Sequence, residues 1–384
     1  MDFAVVDEHV ELRRAVAEIA ADFGGAYYAR KAEAREFPTE LWQALGRYGY
    51  LGASIPEAYG GGGGGLAELA IVCEESAAQG CPLLLMIVNT AISAEMITHF
   101  GTDEQRRRWL PGLADGTTRI VFAITEPDAG SNTHRLATTA VPDGDGWRLD
   151  GQKYYISGVD EADAVLVVAR TGTDEATGDA ALSLFVVDAD SPGLVVQPLP
   201  VAVALPERQF TLFFDGVRVG RERLLGTAGA GFRQVFAGLN PERVTGAALC
   251  VGIGRYALAR ASRYVGERSV WGTPVGAHQG VAHPLAQAKI EIELAALMTA
   301  KAAWLHDVGQ PAGEAANMAK YAAAEAALNA VDAAIQAHGG NGVSTEYGLI
   351  PLWGLARLLR IAPVSREMIL NYVAQHALGL PRSY

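Results

Sequence analysis

The sequence predicts an α+β fold in which an N-terminal helical domain, a middle antiparallel β domain and a C-terminal helical domain follow one another. Apolar residues first recur at helical spacing, then lie in short β-rich runs between turns, and finally return to helical spacing in long Ala-rich segments. The chain has 384 residues, which exceeds the usual size of one hydrophobic core. We therefore expect three domains, at 1–118, 119–228 and 229–384.

The N-terminal region has helical spacing in stretches such as "VELRRAVAEIAADF" and "ELWQALGRYGYLGASI", with breaks at Pro38 and Pro56. A run of six glycines, 60–65, follows the second break. We interpret this run as a flexible connector. The alternative, a phosphate-binding loop, would need a lysine after the glycines, and none follows.

The middle region contains strand-like runs bounded by turn sequences such as "PDGDG" and "LDG". This spacing predicts antiparallel strands rather than strands that alternate with helices. The runs are "RIVFAIT", "GWRLDGQKYYIS", "AVLVVAR", "LSLFVVD" and "QFTLFFDGVRV".

The C-terminal region has helical segments at 243–267, 279–306 and 314–337. The stretch "GLNPERVTG" precedes the first of them. Asn240, Pro241 and Glu242 have the order of an N-cap, a first-turn proline and an acid near a helix N-terminus. A catalytic base could have the same surroundings, so the stretch alone does not separate these two interpretations.

Composition and charge exclude several classes of protein. The chain carries 43 acidic and 31 basic residues, a net charge of -12, which argues against a nucleic-acid partner and suits a cytoplasmic protein. Its three cysteines form no CxxC pair, which argues against disulfides and a cysteine zinc site. The longest apolar run, "CPLLLMIV", is too short to cross a membrane, and we expect no targeting segment in "MDFAVVDEHVELRR". Histidines such as His278 and His283 lack the spacing of metal ligands.

Two stretches in the middle region carry candidate ligand-binding residues. In "FAITEPDAGSN", Gly130 would let the backbone approach a planar ligand, while Thr125 and Ser131 offer hydroxyl groups. A tight turn between strands would look the same. In "KYYIS", Tyr155 and Ser157 point to one face of a strand, although ordinary packing in a sheet also explains this pair.

Two further candidates lie in the C-terminal region. "RSVWGTPVGAHQG" places Arg268 and Trp271 before Gln279 across a loop, and an arginine there can bind a pyrophosphate, although many such arginines are only surface cations. "QAHGGNG", at 336–342, closes a long helix with adjacent glycines, as many helices do.

In this order and spacing, the four stretches resemble the acyl-CoA dehydrogenase family almost from end to end. The resemblance implies a C-terminal four-helix domain that holds FAD between subunits, and therefore a homotetramer or at least a dimer. It places Ser131 near the substrate as well as the flavin. Residues that it places at FAD are Phe122, Ile124, Thr125, Gly130, Ser131, Tyr155, Ser157, Arg268, Trp271, Gln279, Gln336, Gly339 and Gly340.

Some of these positions have a special role or differ from the family. Arg268 and Trp271, with Gln279, match residues that reach the FAD of a neighbouring subunit. Tyr155 occupies a position that the family usually gives to tryptophan, and Ser157 one that it gives to threonine.

The implied reaction is the α,β-dehydrogenation of an acyl-CoA thioester to the 2-enoyl product, with electrons passing to an electron-transfer flavoprotein. Many members supply the base from a Tyr-Glu-Gly-Thr stretch after the Gly-Gly-Asn-Gly loop. Here "IAPVSREMI" follows, and Pro363 falls at the position of that glutamate. Proline has no N–H, so the backbone donor that the family uses for the thioester carbonyl is also lost, and a nearby N–H such as that of Val364 would have to serve. Gly354 and Leu355 replace a frequent Arg-Asp pair.

A subset of the family, including isovaleryl- and long-chain-type enzymes, carries its base on the first long helix of the C-terminal domain in a Glu-Arg pair. Glu242 and Arg243 match that pair. The resemblance therefore makes Glu242 the leading candidate for the base and Arg243 a cation near the substrate. It also favours a branched or bulky acyl chain.

Two other functions are compatible with the same resemblance. The chain could be the base-deficient partner subunit of a heteromeric acyl-CoA dehydrogenase, or a flavin oxidase or monooxygenase on the same fold, because function resides in the site rather than in the scaffold. The sequence does not distinguish CoA from an acyl-carrier protein as the carrier of the substrate.

Overall fold

The computed structural model describes residues 6–173 and 178–382 and has the predicted order of helices, sheet and helices. A π-helix, Ile87–Ala94, runs directly into the fourth α-helix of the N-terminal domain. Such segments are rare and often lie at functional sites. The α-helices of this domain are α1 Asp7–Ala34, α2 Thr39–Arg47, α3 Leu66–Ala78, α4 Glu95–Phe100 and α5 Asp103–Asp115.

The glycine run 60–65 is a hydrogen-bonded turn rather than the flexible connector predicted for it. The Gly62 N–H donates to the Gly52 carbonyl at 2.9 Å. A Cβ on Gly61 would lie 2.0 Å from the Ile55 carbonyl oxygen, so no other residue fits there without a shift of the backbone. The run therefore packs closely against the preceding turn, and its N–H groups donate to backbone carbonyls and, at Gly65, to the Glu68 carboxylate.

The middle domain forms one sheet in the described part of the chain, with the order β6-β7-β3-β2-β4-β5-β8 and with β1 paired to β4. Most neighbours are antiparallel, as predicted, but β1 is parallel to β4, and β2 meets β4 in parallel at one residue pair. The short strands β2, β6 and β8 were not predicted. The strands are β1 Ile120–Ala123, β2 Thr139–Asp143, β3 Gly146–Ser157, β4 Ala164–Thr173, β5 Ala180–Asp188, β6 Leu194–Pro198, β7 Gln209–Gly220 and β8 Leu224–Leu225.

The C-terminal domain consists of three long helices and two shorter ones in its described part, with a small hairpin between the first two long helices. The helices are α6 Gly231–Glu267, α7 Gln279–Asp307, α8 Gly313–His338, α9 Leu349–Leu359 and α10 Arg366–Tyr372, and the hairpin strands are β9 Ser269–Val270 and β10 Thr273–Pro274.

Helix α6 begins well before its predicted start at 243, because Pro241 lies inside the helix instead of at its first turn. Proline removes one helical hydrogen bond, which usually ends or kinks a helix. Here Val235 and Val244, on either side of Pro241, are both buried, so tertiary packing keeps the two parts in one helix.

Helix α6 forms the centre of the molecule. A Cβ on Gly252 would lie 2.2 Å from the Glu74 carbonyl oxygen of α3, and one on Gly254 would lie 2.1 Å from Ile292 of α7. Gly252 lets α6 approach α3 closely, which joins the two helical domains, and Gly254 lets α6 approach α7 within the C-terminal domain. Among the helices that the structure describes, none is sufficiently long and apolar to span a bilayer.

Candidate active site

Glu242 lies well inside α6, which begins at Gly231. An acid that stabilises a helix through its dipole must lie in the first turn. The interpretation of Asn240, Pro241 and Glu242 as a helix start is therefore wrong. Asn240 instead accepts a hydrogen bond from Arg243 Nη1 at 2.8 Å.

The Glu242 carboxyl is half-buried, and within the described residues it forms neither a hydrogen bond nor an ion pair. Burial raises its pKa to about 7, although the positive charges of Arg243 and Lys320 counteract part of the increase. A carboxyl with no partner and a pKa near neutrality is suited to accept a proton from a bound molecule.

Arg243 lies beside Glu242 without forming an ion pair with it in the described structure. Burial lowers the pKa of its guanidinium, and its buried Nε has no hydrogen-bond partner in the described part of the chain. A buried donor without an acceptor is costly, so Arg243 retains a donor that a ligand could use.

Pro363 lies against the same region of α6 as Glu242. A Cβ on Gly246, one turn after Glu242, would lie 3.8 Å from Pro363 Cδ and 3.9 Å from Ile87 Cδ1 of the π-helix. Pro363 therefore lies close to the part of α6 that carries Glu242, and of these two residues only Glu242 has a carboxylate.

A buried ion pair fixes the segment that carries Thr125 and Ser131. Lys153 of β3 is fully buried, and its Nζ donates to the Ile124 carbonyl at 2.9 Å and to Glu126 Oε1 at 2.8 Å. Burial lowers the pKa of Lys153 to about 8, and Glu126 counteracts part of that decrease.

The Glu126 carboxylate also holds the far end of the segment that carries Thr125 and Ser131. Glu126 accepts the N–H groups of Ala137 at 2.6 Å and Thr138 at 3.0 Å. The Tyr154 N–H of β3 also donates to the Thr125 carbonyl at 2.8 Å. We name the Glu126–Lys153 pair the buried clamp, because it holds both ends of the segment 124–138 against β3.

Tyr155 lies at a bulge, since the pairing of β3 with β7 shifts register between Lys153 and Ile156. Tyr155 has a left-handed φ of 58° and is 54% exposed. The regular alternation assumed for Tyr155 and Ser157 is thus interrupted, although both residues lie opposite the buried Ile156. The Ser157 hydroxyl already exchanges hydrogen bonds with the Gln209 amide at 2.9 and 3.1 Å.

The candidate residues of the middle domain fit a flavin in their chemistry. In the described structure the hydroxyls of Thr125 and Ser131 have no protein partner, and a Cβ on Gly130 would meet nothing within 4 Å. Phe122 is a buried apolar residue at the end of β1, Ile124 is half-buried just after that strand, and the ring of Tyr155 is exposed. Free hydroxyls beside an open glycine and apolar surface suit a planar ring with polar edges.

The candidates of the C-terminal region form a second group. Arg268, Trp271 and Gln279 are exposed and lie around the β9–β10 hairpin, and Trp271 has a left-handed φ of 51° with 92% of its surface exposed. The end of α8 and the turn after it contact Tyr264, whose ring stacks on His338 at 4.2 Å and whose hydroxyl accepts from Asn341 at 3.0 Å.

Gln336, in the last turn of α8, is exposed, as are Gly339 and Gly340 in the turn that follows, and Cβ atoms on the two glycines would meet nothing within 4 Å. His278 and His283 are exposed as well, and the described residues contain no group of three potential metal ligands.

Glu242 and Arg268 are far apart within one chain. Arg268 follows Glu242 by 26 positions along α6, which corresponds to roughly 39 Å along the helix axis at 1.5 Å per residue. This exceeds the length of an extended FAD molecule. One FAD molecule could therefore not contact both Arg268 and Glu242 of the same chain.

Sequence reasoning missed Lys153, Glu126 and Lys320, which the structure places beside the candidate residues. Lys153 occupies an inward position of a predicted strand, and that position is unusual for a lysine. Lys320 lies in an Ala-rich helix whose burial becomes clear only from its packing.

Comparison with known proteins covers all three domains. Models of the acyl-CoA dehydrogenase N-terminal, middle and C-terminal domains match residues 6–117, 121–217 and 229–378. The chain is 56% identical to acyl-CoA dehydrogenase FadE12 of Mycobacterium tuberculosis, over 100% of this chain and 99% of that protein.

Solved structures show the same likeness. The glutaryl-coenzyme A dehydrogenase glutaryl-CoA complex has a TM-score of 0.94 and 31% identity, and the match covers 100% of this chain and 98% of that one. An FAD complex of PigA has a TM-score of 0.92 and 25% identity, over 99% and 100% of the two chains.

Proposed function

The chain belongs to the acyl-CoA dehydrogenase family, and we propose that it oxidises a branched or bulky acyl-CoA with Glu242 as the base and an electron-transfer flavoprotein as the electron acceptor. FAD is its cofactor, and acyl-CoA dehydrogenation is its class of reaction. The observation that carries the assignment of the base is the unpartnered, half-buried Glu242 carboxyl beside Pro363.

In the proposed reaction the Glu242 carboxylate would remove the α-proton of the thioester, and FAD held along Thr125, Gly130 and Ser131 would supply the acceptor for the hydride of the β-carbon. The Val364 N–H follows Pro363 and donates to no backbone carbonyl in the described chain, so it is available to polarise the thioester carbonyl. Arg243 stabilises the carboxylate and offers its free Nε to the substrate.

The acceptor and the acyl chain can be tested together. We expect anaerobic mixing with a panel of straight and branched acyl-CoAs to bleach the flavin, most rapidly with a branched or bulky chain. The reduced protein should then be reoxidised faster by an electron-transfer flavoprotein than by oxygen. Rapid reoxidation by oxygen would favour the oxidase alternative, and an FAD-loaded protein that no acyl-CoA bleaches would favour the base-deficient subunit.

A cytoplasmic location remains our prediction from the net charge of -12.

We predict that the rate of flavin reduction rises with pH and reaches a plateau above a midpoint near 7. Glu242 must be ionised to accept a proton, and burial raises its pKa to about 7, so the protonated, inactive form accumulates below that value. The measurement is stopped-flow flavin bleaching by one acyl-CoA over a range of pH. A rate that stays constant down to the ordinary pKa range of a glutamate would argue against a buried Glu242 as base.

We also propose that the protein is a homotetramer, or at least a dimer, whose sites are completed by a neighbouring subunit. The distance between Arg268 and Glu242 supports this arrangement. An apolar stripe on α7 supports it as well, because its large side chains are 45–63% exposed at helical spacing and would be costly to leave in water. The stripe consists of Ile290, Leu294, Leu297, Trp304 and Val308.

We predict that Arg268→Ala weakens FAD binding, and that Glu242→Gln chains in the same oligomer restore the activity of the Arg268→Ala chains. Hydrogen bonds to charged groups contribute about 1.5–3 kcal/mol, so FAD affinity should fall about 10–100-fold. Coexpression with Glu242→Gln chains should restore turnover, because the Arg268→Ala chain keeps its own Glu242 and receives Arg268 from its neighbour. The measurements are FAD titration and turnover of each variant alone and together.

Arg263→Ala is the matched control, since Arg263 is an exposed arginine on the same helix. It should bind FAD as the unmodified protein does. If the coexpressed variants show no more turnover than each variant alone, Arg268 does not act on a neighbouring site.

A further inference from the structure

Lys320 is an unusual buried cation in the first half of α8. It is 1% exposed, and within the described residues its partners are backbone carbonyls rather than a carboxylate. Its Nζ donates to the Leu359 carbonyl and, at 3.2 Å, to the Val364 carbonyl. Burial of an ammonium group without a paired acid is expensive, so this position requires a reason beyond packing.

The two carbonyls lie at the ends of the turn that joins α9 to α10. This turn, 359–364, carries Pro363 and the N–H of Val364. Lys320 therefore bridges its two ends from one point, and the Pro363 ring rests near Gly246, one turn after Glu242. A change in the turn would move both the wall of the site and the N–H proposed for the thioester carbonyl.

The charge of Lys320 also acts on the Glu242 carboxyl. Its charge lowers the pKa of Glu242, and burial lowers the pKa of Lys320 itself to about 8, so the ammonium form prevails at neutral pH. The charged or titratable side chains around this pair come from three helices. They are Arg243 and Cys250 on α6, Glu325 on α8, and Tyr372 on α10. Burial raises the pKa of Cys250 to about 12, which leaves that thiol neutral.

We propose that Lys320 is a positioning residue for proton abstraction: it holds the turn 359–364 opposite Glu242, and its positive charge stabilises the Glu242 carboxylate. This inference rests on the proposed role of Glu242. It assigns two separable effects to one side chain, since the hydrogen bonds set the shape of the site and the charge sets the proton affinity of the base.

The test is the pH profile of flavin reduction in three variants. Lys320→Met removes the charge and both hydrogen bonds, Lys320→Gln keeps a donor without the charge, and Lys320→Arg keeps the charge. In both neutral variants the acid side of the profile should move to higher pH. A shift of one pKa unit corresponds to a rate that is about tenfold lower on the acid side of the midpoint. Lys320→Arg should keep the midpoint but have a lower plateau, because the longer side chain with its planar guanidinium places its donors differently from the single Nζ that bonds both carbonyls.

Lys289→Met is the matched control, since it removes an equal charge from the surface of α7, where Lys289 forms an exposed pair with Glu293. Its profile should match that of the unmodified protein. An unmoved midpoint in FAD-loaded Lys320→Met or Lys320→Gln would overturn the proposal. So would failure of both neutral variants to fold and bind FAD, because Lys320 would then be structural only.

Failure of the proposed function would look different. If Glu242 is not the base, the unmodified protein has no midpoint near 7 and Glu242→Gln keeps its rate of flavin reduction. If only the Lys320 inference fails, that midpoint is present in the unmodified protein and stays in place in the neutral variants.

Discussion

Glu242→Gln should slow flavin reduction by its substrate by about 10²–10⁴-fold, the usual contribution of a general base. Glutamine keeps the size of the side chain and suits a helix interior, but it cannot accept the α-proton. FAD content should not fall, because Glu242 has no hydrogen bond or ion pair to lose within the described residues. Stability should not fall either, since burial of the charged form opposes folding above the ordinary pKa of a glutamate. The measurements are single-turnover bleaching, the FAD to protein ratio and thermal unfolding.

Glu314→Gln is the matched control. Glu314 is an exposed acid in the first turn of α8, and its loss should change stability by no more than about 1 kcal/mol and leave the rate unchanged. If Glu242→Gln reduces the flavin as fast as the unmodified protein, Glu242 is not the base. The helix-start interpretation no longer provides an alternative role, because α6 begins at Gly231.

Pro363→Glu in the Glu242→Gln background tests the neighbouring position. Pro363 lies near Gly246, so a glutamate there would point a carboxylate at the region that Glu242 serves. The change also restores a backbone N–H at the residue where the family uses one. Recovery of part of the lost rate would support both the position of Pro363 and the role of Glu242. The control is Pro363→Gln in the same background, which restores the N–H without a carboxylate.

Local patterns predicted most of the fold. β3 has its predicted bounds, Gly146–Ser157, because alternation and turns at both ends are encoded within the strand itself. Helices α7 and α8 also lie within two residues of their predicted bounds, because their apolar spacing is uninterrupted. The start of α6 was predicted wrongly, since Asn-Pro-Glu is locally a good helix start and only packing on both sides of Pro241 overrides it.

The candidate site was less predictable, because its supporting residues depend on long-range contacts. Lys153 pairs with Glu126, 27 positions earlier, and Lys320 bonds carbonyls 39 and 44 positions later. Contacts between residues so far apart in the sequence cannot be recognised from the local spacing of apolar residues. The bulge at Tyr155 was also not predicted, since a bulge is formed by its partner strand and not by the strand alone.

Lys153→Met should destabilise the protein by about 3–5 kcal/mol, because it leaves the buried Glu126 carboxylate without its cation. The segment 124–138 would lose one of the contacts that hold it against β3, so FAD should also be lost on dialysis. Urea unfolding and the FAD to protein ratio measure the two effects. Adding Glu126→Gln should recover part of the stability, since glutamine removes the buried charge and keeps one acceptor oxygen, although only one of the N–H groups of Ala137 and Thr138 can then be accepted.

Arg218→Met provides the control for the loss of any ion pair in this sheet. Arg218 pairs with Asp143, but its side chain is 77% exposed, so its loss should cost no more than about 1 kcal/mol. The contrast follows from solvation, because water replaces the lost partner at the surface and cannot do so around Glu126, which is 5% exposed. If Lys153→Met is as mild as Arg218→Met and retains FAD, the buried clamp does not hold the segment that carries Thr125 and Ser131.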